Sequence, residues 1–274
     1  MFNHKKVVSA LLLALALGAA ATVAPRAHAG AREEGRLLVA TEVLEEIEAM
    51  PDSRLPDSLL ARAYGIAVIP DVTKLAFIFG GRHGNGVLVV RDKLNAPWSN
   101  PVFVSLTGGS WGFQAGAQSS DIILVFTTKA GIEGIAGGKL TLGADASVAT
   151  GPVGRQGSAA TDIGFNAEIY SYARTRGLFG GIALDGSVIA IDKSANGALY
   201  GKSGVTASDV FSGQAPAAPA TAQRFLERLA TATRTSVRSS PAPQADVPAA
   251  NAAQTPSAVP NADAPRTYPL EEHQ

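Results

Sequence analysis

The period of hydrophobic and polar positions changes near Tyr64. Before it, between residues 31 and 50, apolar residues recur at the three- to four-residue spacing of a helix and form one stripe. That stripe consists of Leu37, Thr41, Leu44 and Ile47, with Leu38 alongside. Pro51 ends the run. The following "PDSLLARA" predicts a short second helix with Pro56 in its first turn.

After Tyr64 the chain is divided into short apolar runs bounded by Gly, Pro, Asn or Asp, which predicts β-strands. The runs are "GIAVIP", "KLAFIF", "GVLVV", "PVFVSL" and "DIILVF", then the alternating "KLTLGADASVAT", and then "FNAEIYSYAR", "LFGGIAL" and "SVIAIDK". Only "TTKAGIEGI" between them favours a helix. "DG" at Asp185 and Gly186 predicts a hairpin turn.

Long helical crossovers are missing between these runs, so the sheet is predicted to be mainly antiparallel. Small residues on many strand faces favour close packing or a tight curl. The predicted fold class is therefore α+β. It comprises a mainly antiparallel, glycine-rich β-sheet curled towards a barrel or sandwich, N-terminal helices packed on that sheet, and a disordered C-terminal tail.

The first 29 residues are predicted to be a secretory signal peptide. Lys5 and Lys6 precede an apolar run that starts at Val7, and Ala27-His28-Ala29 is a small-residue cleavage pattern. The alternative is an uncleaved anchor, because the run nearly reaches the ~18 residues that a membrane span needs. We expect cleavage near Ala29 and a periplasmic or secreted protein.

The other end of the chain differs in composition. Nine of the sixteen prolines lie between Ser212 and Gln274, among Ala, Ser, Thr and Gln. Such a segment buries too little apolar surface to offset the entropy of ordering. The domain is therefore predicted to span 30–213, followed by a disordered Pro/Ala-rich tail over 214–274 with a possible short helix at "TAQRFLERLATAT".

Composition and charge remove several classes of function. The chain has no cysteine, which excludes disulfides, thiolate zinc sites and cysteine nucleophiles. Loss of Lys5, Lys6 and Arg26 with the signal leaves 20 basic against 23 acidic residues. That balance gives no reason to expect a nucleic-acid partner.

Three glycine-rich segments resemble catalytic loops but lack their context. "FIFGGRHGNGVLVV" has a strand before it and no helix after it, so we interpret it as a hairpin rather than a phosphate loop. Gly201-Lys202-Ser203 lacks the leading glycine of a P-loop. "GGSWG" around Ser110 is followed by a strand-like run, and no histidine is suitably placed to act as its base. We predict no enzyme, no metal site and no cofactor.

Binding of an anionic group needs exposed cations beside open backbone N–H groups, and two glycine-rich turns offer both. The candidate lipid- or anion-binding residues are Arg82 and His83 in "GGRHGNG", Arg155 and Ser158 in "GPVGRQGS", and Lys74 and Arg91 on the strands flanking the first turn. The alternative is that these are solvated turn residues.

The block from Ala63 to Phe211 resembles the SYLF domain, the yeast actin-binding-type lipid-binding domain. The resemblance is carried in order by "AYGIAVIPDVTKLAFIFGGRHGNGVLVVRD", "WSNPVFVSLTGGSWGFQAGAQSSDIILVF", "LGADASVATGPVGR" and "IYSYARTRGLFGGIALDGSVI". It implies a lipid-binding, non-enzymatic module. Eukaryotic relatives bind phosphoinositide membranes, partly through a basic amphipathic N-terminal helix, and some bind actin filaments.

This chain departs from the family at that helix. Residues 31–50 carry six glutamates against Arg32 and Arg36, so an anionic leaflet should repel the helix. We therefore expect its apolar stripe to pack on the sheet and do not carry over a phosphoinositide preference. Actin binding is not expected of a chain exported by a bacterial-type signal.

The sequence thus predicts an exported lipid- or membrane-binding module without catalytic activity. Its partners would be lipids or a membrane surface, with envelope proteins as further candidates and no nucleic acid. The alternative is a structural or protein-interaction domain of the cell envelope.

Overall fold

The structure is a computed structural model that describes residues 26–50, 55–76, 79–111, 116–153, 166–175 and 178–239. The helices in these residues are α1 (Arg26–Glu48), α2 (Asp57–Ala61), α3 (Lys129–Ala136), α4 (Lys193–Leu199), α5 (Ala207–Phe211) and α6 (Ala220–Ser239). In this part of the chain, no helix combines the length and apolarity that a membrane span requires.

The strands form one sheet. They are β1 (Gly65–Ala76), β2 (Phe79–Val90), β3 (Val102–Trp111), β4 (Gly116–Phe126), β5 (Lys139–Thr141), β6 (Val148–Thr150), β7 (Ile169–Thr175), β8 (Leu178–Gly181) and β9 (Val188–Ile191). Their order is β5-β9-β3-β2-β1-β4-β7-β6, with β8 beside β7. The β6–β7 pair is parallel and the other pairs are antiparallel. The sheet curls into a half-barrel, which confirms the predicted fold class.

The core lies on both faces of one half of the long strands. We call this half the proximal sheet, comprising 65–69, 86–90, 102–106 and 122–126. On one face of the proximal sheet, alternate residues such as Val87 and Phe103 pack with α1, α2 and α6. On the other face, Leu88 and Val104 belong to a second hydrophobic cluster, which includes Ile135 of α3. Because both faces are covered, nearly every position of these segments is apolar.

Helix α1 packs with its apolar stripe inward, as predicted. Leu37, Val43, Leu44 and Ile47 are buried in the cluster that also contains the proximal sheet. Leu38 lies outside the stripe and is exposed. The acidic helix is therefore part of the core rather than an unpartnered amphipathic helix.

Helix α6 extends the packed domain beyond the predicted boundary at Gly213. Phe225 and Leu229 are buried against α1 and α2. The Thr221 hydroxyl donates to the Glu34 carboxylate at 3.2 Å, and Arg228 donates to Glu45 at 2.6 Å. The helix proposed within the tail is thus longer than expected and belongs to the core.

The first hairpin reverses at a different place from the predicted one. β1 and β2 pair from Gly65↔Val90 to Ala76↔Gly80, with one register shift between Val68 and Thr73, so the reversal lies between Ala76 and Gly80. The "GGRHGNG" segment is the interior of β2, where Gly84 and Gly86 have extended backbone. A Cβ on Gly86 would lie 2.6 Å from the Ile69 Cα, so close strand packing requires this glycine.

A bulge in β1 separates the proximal sheet from the rest of the long strands. The register shifts between Val68 and Thr73, and Asp71 has φ 50°. The Asp71 N–H donates to the Asp121 carboxylate at 3.0 Å. Asp121 also accepts from Arg174 at 2.6 Å, and Arg174 pairs with Glu46 of α1. The bulge is thereby tied to the helix layer.

Candidate functional site

Beyond the bulge, β1 to β4 continue as a second region with different chemistry. We call it the distal sheet, comprising 72–76, 79–83, 107–111 and 116–120. Its sequence contains Lys74, Arg82 and His83 and no aspartate or glutamate. Thr73, Leu75, Gly81, Thr107, Gly109, Ala117, Gln118 and Ser119 are exposed. This is an open sheet with a cationic bias.

Lys74 and Arg82 lie on the same face of the distal sheet because they are Cα partners in the β1–β2 ladder. The Arg82 Nη1 donates to the Ala183 carbonyl at 3.2 Å. Its Nε is buried and has no hydrogen-bond partner in the described part of the chain. Burial lowers the pKa of Arg82 from its ordinary value, yet a guanidinium stays charged at neutral pH.

His83 lies on the opposite face, the one that carries the helices. It pairs with Thr73 across the ladder, and its ring Nε2 lies 3.5 Å from the Asn85 side-chain nitrogen. A groove of about 480 Å³ runs here between α1 and the sheet, and its lining includes Arg32, Arg36 and His83. The distal sheet therefore has basic residues on both faces, Lys74 and Arg82 on one and His83 on the other.

Arg32 is a candidate that the sequence did not reveal. It is exposed on the first half of α1 and lines the groove with His83, although about fifty positions separate them in the chain. Arg36 beside it is engaged by Asp192 at 3.4 Å and by the face of the Phe103 ring. In the sequence, the indication of this candidate is a pair of arginines, Arg32 and Arg36, near the start of an otherwise acidic helix.

Arg91 is placed apart from the other candidates, at the end of β2 in the proximal region. It is buried, and its guanidinium donates to the carbonyls of Ala63, Leu60 and Ala61 at 2.6, 3.1 and 3.2 Å. It also stacks over Trp98, with the guanidinium carbon 4.5 Å from the ring centroid. Its donors hold the end of α2, and desolvation lowers its pKa.

The remaining candidates, Arg155 and Ser158, lie outside the described residues. The structure thus brings together Lys74, Arg82 and His83 and separates Arg91 from them. Their assignment as ligand contacts stays a prediction.

The segments that resemble catalytic loops have no catalytic setting in the described chain. Ser110 lies within β3, paired with Gly80 of β2, and the next described element is strand β4 rather than a helix. Gly201-Lys202-Ser203 follows helix α4 rather than a strand. Neither placement provides the strand–turn–helix geometry that those motifs require.

A separate apolar cavity lies between α1, α2 and α6. Its volume is about 220 Å³, and Leu44, Ile47, Leu60 and Leu229 are among its lining residues, with Glu48 and Asp57 also contributing. This cavity lies within the helix layer and is distinct from the distal sheet.

Comparison with known proteins gives the class of this domain. Residues 107–232 match the family model described as "Ysc84: Las17-binding protein actin regulator". The chain carries a domain of this Ysc84, or SYLF, family. The match extends through most of α6, in agreement with the buried face of that helix.

Individual relatives support the same family. An SH3 domain-containing protein of Schizosaccharomyces pombe is 39% identical over 178 residues, 64% of this chain and 40% of its own length. The human SH3 domain-containing YSC84-like protein 1 is 33% identical over 180 residues, 65% of this chain and 52% of its own length. LAS seventeen-binding protein 3 of Saccharomyces cerevisiae is 34% identical over 172 residues, 62% of this chain and 37% of its own length. This chain spans about half or less of these relatives.

The expectation that excluded actin is contradicted by these findings. The family description names an actin regulator, and one relative is named for binding Las17. That expectation rested on interpreting the N-terminal segment as an export signal, and such a signal contains no information about what a folded domain binds.

Proposed function

We propose that this chain is an exported, non-catalytic binding module that attaches to lipid membrane surfaces through the distal sheet. The observation that carries the proposal is the clustering of Lys74, Arg82 and His83 in a region whose sequence has no acidic residue. Each cation near an anionic membrane surface contributes about 1 kcal/mol, so a cluster of this size gives measurable attraction.

Open backbone adds to this attraction. Glycine is the residue at five positions of the distal sheet, including Gly81 and Gly109, where a Cβ would meet open space or only a distant carbonyl. A phosphate group can approach such backbone more closely than it can approach a strand with large side chains.

The test is co-sedimentation with vesicles of phosphatidylcholine alone or with phosphatidylglycerol. The parent protein is expected to bind the anionic vesicles and to lose affinity as salt increases. Lys74→Ala/Arg82→Ala should bind about tenfold or more weakly, since two charges of roughly 1 kcal/mol are removed. Circular dichroism and thermal melting verify that the variant is folded.

The matched control is Lys93→Ala/Lys202→Ala. It removes the same charge from two exposed lysines outside the distal sheet. If it weakens binding as much as Lys74→Ala/Arg82→Ala, only net charge matters and the site is wrong. If the parent protein binds no vesicle at low salt, the membrane function is wrong.

Export is the part of this proposal that rests on residues 1–29. Lys5, Lys6, the apolar run and the Ala27-His28-Ala29 pattern support it. N-terminal sequencing of the protein recovered from an expressing bacterium is expected to start near Gly30 in the periplasmic fraction. An intact Met1 on cytoplasmic material contradicts export.

A second candidate function is protein binding, which the family description favours. Relatives are described as a Las17-binding actin regulator and as SH3 domain-containing proteins. Co-sedimentation with actin filaments, and lipid-free capture of envelope proteins from the host, test this function. If the protein binds actin filaments or envelope proteins and does not bind vesicles, protein binding replaces membrane binding as the proposed function.

A further inference from the structure

The outward face of helix α1 carries two adjacent exposed apolar side chains. Leu38 is 41% exposed and Val39 is 38% exposed, and they are two of the five large hydrophobic side chains that are exposed in the described chain. Single exposed leucines are normal on a soluble surface. An adjacent pair, on a helix whose other face is already packed in the core, indicates a second contact surface.

Gly35 lies one turn before this pair and opens the helix surface beside it. Residues three and four positions apart share a face of a helix, so Gly35 neighbours both Leu38 and Val39. A Cβ on Gly35 would meet no atom within 4 Å beyond the helix's own backbone, so packing inside the described fold does not require a glycine here. Glycine within a helix lowers its stability relative to alanine. Its benefit is that another molecule can approach the backbone closely.

Two charged residues, Arg32 and Glu42, lie at the two ends of this face. Both are exposed, and neither forms an ion pair with another described residue. Three neighbouring charged residues of α1 do pair with other elements, namely Arg36, Glu45 and Glu46. Arg32 and Glu42 are ten positions apart, or about 15 Å along the helix, so they cannot pair with each other.

The order of these charges identifies the occupant as a second copy of this chain. A partner must present a carboxylate to Arg32 and a cation to Glu42. A second α1 that runs antiparallel presents both, because a two-fold axis near Leu37 brings Arg32 opposite Glu42 of the second copy. A parallel copy would bring like charges together, and an anionic bilayer would attract Arg32 but repel Glu42.

We propose that the protein forms a symmetric dimer through an antiparallel contact between two α1 helices. The face consists of Arg32, Gly35, Leu38, Val39 and Glu42, and the same register places Gly35 opposite Val39 of the second copy. This inference does not rest on the proposed membrane function. The face is small compared with the interfaces of obligate dimers, so the dimer is weak and its population depends on protein concentration.

Sedimentation equilibrium of the purified protein over a range of concentrations tests the dimer. The parent is expected to show a monomer–dimer equilibrium. Arg32→Glu and Glu42→Arg should each self-associate about tenfold or more weakly, because two attractive contacts become repulsive. Arg224→Glu is the matched control, since it makes the same charge change at an exposed position of α6, and it should associate like the parent.

Mixing the two charge variants tests the register. An equimolar mixture of Arg32→Glu and Glu42→Arg is expected to form mixed dimers, because each variant presents the charges that the other needs. The double variant Arg32→Glu/Glu42→Arg should self-associate like the parent for the same reason. Neither rescue would follow if the single variants were misfolded.

Gly35 allows a test that does not use charge. Gly35→Leu fills the open space beside Leu38 and Val39, so the second helix can no longer approach closely. The variant should stay monomeric at concentrations where the parent dimerises. Because leucine is a better helix former than glycine, its melting temperature in dilute solution should equal or exceed that of the parent.

Each outcome decides the proposal. A parent protein that stays monomeric up to about 0.5 mM overturns it. Dimerisation that persists equally in all three single variants of α1 shows that another surface is used and also overturns it. Charge variants that neither self-associate nor form mixed dimers overturn the antiparallel register. None of these measurements involves vesicles, so failure of the membrane function leaves this test unaffected.

Discussion

The proximal and distal sheets are made of the same four strands, yet they differ in how their faces are covered and in which side chains they carry. In the proximal sheet both faces are covered, and the sequence consists of continuous apolar runs such as 87–90 and 122–126. In the distal sheet most side chains are small or polar, and many are exposed. The covering helices and the bulge at Asp71, rather than the strands themselves, determine where one region ends.

This difference indicates a division of labour. The proximal sheet with its helices supplies the free energy of folding, so changes there should reduce stability. The distal sheet contributes little buried apolar surface, so it can present cations and the exposed Leu75 without a stability penalty. The following predictions test this division, starting with the largest expected effect.

Phe225→Ala should destabilise the protein by about 4 kcal/mol, because a fully buried aromatic side chain of α6 is lost from the core. Urea unfolding followed by circular dichroism measures the change. The neighbouring exposed Arg224→Ala is the control and should stay within about 0.5 kcal/mol of the parent. Equal stability of parent and Phe225→Ala would show that α6 is not part of the domain.

Arg91→Leu should cost about 3 kcal/mol, since the carbonyls of Leu60, Ala61 and Ala63 lose their donor in a buried setting. Lys74→Leu in the distal sheet should change the free energy of unfolding by less than about 0.5 kcal/mol. Chemical denaturation of both variants provides the comparison. A larger loss of unfolding free energy for Lys74→Leu than for Arg91→Leu would contradict the assignment of Arg91 to the core and of Lys74 to the open sheet.

Two glycines of neighbouring strands provide a pair with the same chemical change. Gly86→Ala places a Cβ 2.6 Å from the Ile69 Cα, and we expect a loss of about 2 kcal/mol. Gly109→Ala in the distal sheet meets no atom within 4 Å and should be nearly neutral. Thermal melting separates the two, and similar melting temperatures would mean that β1 and β2 pack less closely at Gly86.

Alkaline pH should affect the covered region. Burial raises the pKa of Tyr172 and Tyr200, whose hydroxyls donate to Pro152 and Pro101. Unfolded tyrosines release their protons near pH 10, so stability is retained below about pH 10 and is lost as pH rises above it. Melting temperatures should therefore fall more steeply between about pH 9 and 11 in the parent than in Tyr172→Phe/Tyr200→Phe. Parallel slopes would contradict the burial of these hydroxyls.

Local patterns in the sequence predict most of the proximal sheet. Apolar runs of five or six residues identify its strands, and the stripe from Leu37 to Ile47 identifies the packed face of α1. The hairpin at "GGRHGNG" was misplaced because glycine and asparagine are typical of turns, whereas Gly86 is required by close contact with Ile69. Such a contact depends on the pairing of two strands and has no local signature.

Helix α6 was underestimated for a related reason. Phe225 and Leu229 have helical spacing, but the prolines and alanines around them suggested a segment without a core to pack on. Its partner is α1, at the opposite end of the chain. Three of the predicted site residues, Lys74, Arg82 and His83, lie together, and their role as ligand contacts stays a prediction. The surroundings of Arg91 could not be predicted from the sequence because they depend on its burial. Those of Arg32 could not be predicted because they depend on where α1 approaches the sheet.

The contact between α1 and α6 has a consequence for the order of folding. The bonds Glu34–Thr221 and Glu45–Arg228 close loops of 187 and 183 residues. Helix α1 is synthesised first, yet its buried face gains its last neighbours only when α6 has been made. Such long-range closure slows folding, because the entropy of closing the loop is lost before the contact contributes. During synthesis α1 is therefore the element most in need of protection from wrong partners.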